Sequence, residues 1–173
     1  MKIHIPVFDE QQLNEVKLLI DQAANLMEEN SQHNFEEINE LAKRLEILVG
    51  KPIDIFQFNH YWSHSSLDDV AKLLLMPEPP QCELSDEDIT NTLIHFFDYL
   101  KEYGEAGSEY VITYLAKNTG LNNMIDYIYH PSEVGLILDE ELDEEQFMRA
   151  IANKIIEDRD NPDQRQRPNV ILL

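Results

Sequence analysis

Glycine is scarce in this chain, with 5 in 173 residues, and cysteine occurs once, as Cys82. So few glycines leave little room for tight backbone turns around a ligand, and no glycine-rich loop of the phosphate-cradling kind is present. No Gly-x-Ser-x-Gly elbow offers a hydrolase nucleophile either. Cys82 cannot close an internal disulfide, and in its setting between Gln81 and Glu83 no cation activates the thiol. Positive charge is the other shortage: 13 Lys and Arg against 34 Asp and Glu leave a net charge of −21. Nucleic acid and anionic membranes would repel such a chain, whereas a basic protein would be drawn to it; the same field also simply keeps a protein soluble. No apolar run is long enough to span a bilayer, and no charged start leads into a signal-like apolar segment, so a cytoplasmic protein is expected.

What the chain does have is helical periodicity. From Gln11 to Glu29 the residues Leu13, Val16, Leu19, Ile20, Ala23 and Met27 recur at three- and four-residue spacing, and Phe35, Ile38, Leu41, Leu45 and Leu48 repeat the pattern. Polar Ser31–Asn34 lies between them and Gly50 and Pro52 end the second run, which predicts a helical hairpin serving as scaffold. An aromatic cluster, Phe56, Phe58, Tyr61 and Trp62, precedes a helix start at Ser65 or Ser66, with Asp68 and Asp69 in the first turn. Pro77, Pro79 and Pro80 then mark a linker that divides the chain into residues 1–80 and 81–173, at charges of −8 and −13.

Beyond the linker, Ser85 caps one helix expected to run to Gly104, with Ile89, Leu93, Phe96, Phe97 and Leu100 as its stripe. A second helix spans Ser108 to Lys117 and ends at Gly120; a last one starts near Asp143 with Phe147, Ile151 and Ile155 on one face. The alternating Ile3, Ile5 and Val7 predict a short extended segment, which the terminal NVILL either pairs with as a ladder or leaves to dock on the helices. The fold class is all-α, with possible extended segments at the two termini.

The stretch Asn118–Pro131, NTGLNNMIDYIYHP, is the candidate site. Only Tyr127 through His130 fit between the breakers around them, so the rings cannot all enter one core. Tyrosines beside Asp126 supply the flat apolar area and edge hydroxyls of a protein-binding hot spot; ordinary core tyrosines with wet hydroxyls fit the same residues equally well. His60 and His64 stand four apart without the glutamate of a zinc-protease motif and read as packing. The acids from Asp139 to Glu145 lack the alternating oxygens and central glycine of a calcium loop and read as a solvated run. No catalytic residue, metal or cofactor is expected.

The order LSDEDI, two helices, NTGLNNMIDYIYHPSE and LDEEQFMRAIANKI resembles the helical immunity proteins that protect bacteria from colicin-type DNases, over about the last 90 residues. The resemblance implies a small distorted four-helix bundle with a very short third helix. Its most specific motif, an aspartate, an apolar pair, two tyrosines and a proline, is matched by Asp126, Tyr129 and Pro131, with His130 in place of the second tyrosine. Ala116 stands near a position that is acidic in the family. The run YWSHSSLDDVAKLLLMPEPP is similar to the front half of longer bacteriocin immunity proteins. The resemblance implies an acidic plug that binds a basic nuclease toxin domain, with Asp126 and Tyr129 as anchors, Tyr127 and His130 as helpers and Glu105 and Glu109 as acidic contacts. A different reading makes the chain an adaptor or scaffold that works through the exposed face of its N-terminal hairpin.

Overall fold

The computed structural model describes residues 3–5, 7–29, 34–63, 65–139 and 141–162. Among them every regular element is helical and no strand occurs. The chain forms two compact units, Pro6–Pro77 and a larger one that joins the opening residues to everything from Glu78 onward.

In the N-terminal unit, α1 (Glu10–Glu28) starts where the Asp9 carboxylate accepts the Gln12 N–H at 2.8 Å. It buries Val16, Leu19, Ile20, Ala23 and Ala24. Helix α2 (Phe35–Val49) returns alongside with Ile38, Leu41 and Leu45 inward and stops at Gly50, whose φ of 72° suits glycine. Bonds from the Gln12 side chain to the Leu48 carbonyl (2.9 Å) and from Asn34 to the Leu26 carbonyl (3.0 Å) close the two ends of this antiparallel pair. Two short 3₁₀ turns, Ile55–Phe58 and Tyr61–Ser63, add Ile55, Phe58 and Tyr61 to the core. Helix α3 (Leu67–Leu75) begins at Ser66, whose hydroxyl accepts the Asp69 N–H. It is pinned to α1 by Asp68, which meets both Lys17 and Lys72.

In the C-terminal unit, α4 (Asp86–Ile94) opens with a reciprocal capping box between Ser85 and Asp88. The single helix expected from Ser85 to Gly104 is two: the backbone breaks at His95 (φ −93°, ψ 9°) and α5 (Phe96–Tyr103) follows. The two halves have different partners, α4 packing on α8 (Glu144–Asp160) and α5 on α6 (Glu105–Thr119), so a stripe continuous in sequence is divided in space. Tyr99, buried on α5, holds the opening segment through its hydroxyl, which accepts the Ile3 N–H at 2.7 Å and donates to the Ile3 carbonyl at 3.3 Å. The expected pairing of that segment with Asn169–Leu173 lies outside the described residues.

Helix α6 (Glu105–Thr119) starts three residues before the expected Ser108 and is the most enclosed helix, burying Tyr110, Val111, Ile112, Tyr114 and Leu115. Gly107 permits its close approach to α5: a Cβ there would sit 2.5 Å from the Tyr99 carbonyl oxygen and 2.8 Å from the Tyr103 Cβ. Helices α7 (Met124–Tyr129) and α8 (Glu144–Asp160) complete the unit. Asp143 and Gln146 form the second capping box, and Met148, Ile151, Ala152 and Ile155 face the core of α8 while Phe147 is only half-buried.

Candidate protein-binding site

Gly120, at φ 72°, ends α6, and a four-residue turn leads into α7. The helix starts at Met124, three residues before the expected Tyr127. It ends before His130 because Pro131 disfavours helical geometry in the residue that precedes it; His130 sits at φ −135°, ψ 52°. Six residues are enough to divide the helix into two faces. Met124, Tyr127 and Ile128 point inward and are at most 3% exposed, whereas Ile125, Asp126, Tyr129 and His130 share the outer face.

The two tyrosines therefore part company. Tyr127, expected as a binding helper, is a core residue: its hydroxyl donates to Asp158 Oδ2 at 2.6 Å, and Lys154 Nζ donates to Asp158 Oδ1 at 2.8 Å. Two positions on, rotation by about 200° puts Tyr129 on the opposite side. Tyr129 is 47% exposed and Ile125, one turn earlier, 48%. The Tyr129 ring packs edge-to-face with Phe96, fully buried at the head of α5, with ring centroids 6.0 Å apart and planes at 71°. Contact of this kind holds the ring in place while leaving much of its surface free. Asp126 is half-buried beside it and His130 is exposed.

Glu105 and Glu109 are exposed and one turn apart, but they stand about 21 and 15 Å along α6 from Thr119, the end that leads into α7. They add to the field around the patch and are not part of its helix face. Ile125, Phe96 and Asp158 are the residues that sequence reasoning did not assign to this region. Ile125 and Tyr129 at i and i+4 were the available signal, hidden by starting the helix too late.

Four described cations of this unit are neutralised at home. Lys117 meets Glu78, Arg149 meets Glu145, Lys154 meets Glu157 and Asp158, and Arg159 meets Asp86 and Asp160. Among the described residues no group of three or more His, Cys, Asp or Glu is placed to hold a metal ion, and His64 lies outside them. No helix of the described residues is long and apolar enough to cross a membrane. Comparison with protein-family models, with curated proteins and with solved structures matches none of them to this chain.

Proposed function

We propose that this chain is a toxin immunity protein that captures a basic protein domain on the outer face of α7 and acts by occlusion, with no chemistry of its own. The observation that carries the reading is the division of α7: one face anchors the helix in the core, the other presents Ile125 and Tyr129 about half exposed, flanked by Asp126 and His130. A rigid aromatic held by a buried neighbour loses little entropy on binding, which is what a hot spot requires. The acidic balance supports a basic partner, because carboxylates on this unit outnumber its self-paired cations. The partner's nature, a nuclease toxin domain, rests on the resemblance of Asp126, Tyr129 and Pro131 to the immunity-protein motif and on the short helix α7 lying between the longer α6 and α8.

The test is to express the tagged chain in its native cell, identify what copurifies, and assay that protein on DNA. A basic nuclease, inhibited by the chain and released by Tyr129→Ala, is expected. A captured protein of neutral or acidic charge, or a nuclease inhibited equally by the Tyr129→Ala chain, would overturn the reading.

A further inference from the structure

The N-terminal unit, which the toxin-binding reading leaves without a role, exposes two phenylalanines side by side. Phe35, the first residue of α2, is 58% exposed and Phe56, in the 3₁₀ turn Ile55–Phe58, is 50% exposed. Their ring centroids are 6.3 Å apart with the planes tilted by 52°. Each has buried neighbours in its own element, Ile38 for one and Ile55 and Phe58 for the other, so the core is filled without these two rings. Exposed carboxylates frame the pair: Glu36 and Glu37 follow Phe35 in the first turn of α2, and Asp54, which accepts the Phe56 N–H at 3.1 Å, precedes Phe56. Of the five cations of this unit, Lys17 and Lys72 both meet Asp68, Lys51 reaches the Met76 carbonyl, and Lys43 and Arg44 stand on α2 more than two turns beyond Phe35.

We propose that Phe35 and Phe56 form a second interaction surface, one that takes a short segment of another protein in which arginine alternates with apolar residues. A guanidinium laid on a phenylalanine face is attracted by the ring quadrupole, and the surrounding carboxylates satisfy its N–H donors. The apolar neighbours of such a segment cover the remaining ring area. A second copy of this chain is a poor occupant: residues 6–77 carry 13 Asp and Glu against 5 Lys and Arg, so self-association would set like charges face to face.

The probe is an acetylated, amidated Arg-Leu-Arg-Leu peptide titrated into the full isotope-labelled chain and followed by NMR. Saturable shifts are expected at the amides of Phe35, Glu36, Glu37, Asp54 and Phe56. Phe35→Ala with Phe56→Ala should weaken the fitted dissociation constant about tenfold, and Glu36→Lys with Glu37→Lys, which keeps both rings, should weaken it comparably. Tyr129→Ala should leave it unchanged, so this surface stands or falls apart from α7. Shifts scattered over the acidic surface and insensitive to both double variants would overturn the proposal. Equal shifts with spermine would reduce it to charge alone, and concentration-dependent shifts at these amides without peptide would replace it with a second copy.

Discussion

At the scale of residues, Tyr127 and Tyr129 make opposite predictions although one isoleucine separates them. Tyr127→Phe removes a donor to the buried Asp158 carboxylate, which Lys154 also meets. We expect a loss of about 1–3 kcal/mol in unfolding free energy, read by denaturant titration, with affinity for the partner unchanged. Tyr129→Ala removes a half-exposed ring that packs edge-to-face with Phe96. Its stability cost should stay near 1 kcal/mol. Sequence alone left both tyrosines open between core and surface. Their separation depends on the phase of α7, which is set by Met124 and Ile128 entering the core, and a window bounded at Tyr127 contains too little of the helix to define that phase.

At the scale of elements, most helix ends were legible because their chemistry is local. Ser66, Ser85 and Asp143 cap starts through their own side chains, and Gly50 and Gly120 end helices in the left-handed conformation. The break at His95 was not legible, since neither glycine nor proline marks it and the apolar stripe runs straight through. It arises from what α4 and α5 pack against, which is tertiary information. The same junction supplies Phe96 beneath Tyr129 and sets α5 against α6 at Gly107. Gly107→Ala places a methyl group against the Tyr99 carbonyl and the Tyr103 side chain, so we expect α5 and α6 to be forced apart at a cost of about 1–3 kcal/mol. A thermal melt of this variant that matches the parent would contradict the close approach.

In the N-terminal unit the join of α1 to α3 has a pH signature. Bonds from Lys17 and then Lys72 hold the Asp68 carboxyl below the ordinary aspartate range. A depressed carboxyl contributes stability that is fully present above its unfolded value of about 3.9 and is lost as pH falls through the lower folded value. Asp68 is nearly half exposed, so the effect is modest. The parent should therefore lose melting temperature on acidification below about pH 5 more steeply than Asp68→Asn, which will start lower at neutral pH. Parallel pH profiles would show that the clamp adds nothing.

At the scale of the whole molecule, charge was the most legible property and the least specific. A net charge of −21 speeds encounter with a basic partner but does not choose where it docks. Exposed acids distant from α7 should act on rate alone: Glu105→Lys is expected to slow association at low salt, with the difference fading as ionic strength shortens the screening length to about 8 Å at 0.15 M. Stopped-flow association at two salt concentrations reads this directly. The proposed function assigns docking specificity to Ile125, Asp126 and Tyr129 of α7 and to His130 just beyond it. The measurement that tests this most directly pairs a thermal melt with a calorimetric titration of the captured basic domain on one sample of Tyr129→Ala. The account predicts a folded variant, melting close to the parent, whose affinity falls by about 2 kcal/mol or more. A folded variant that binds with the parent's affinity would contradict it.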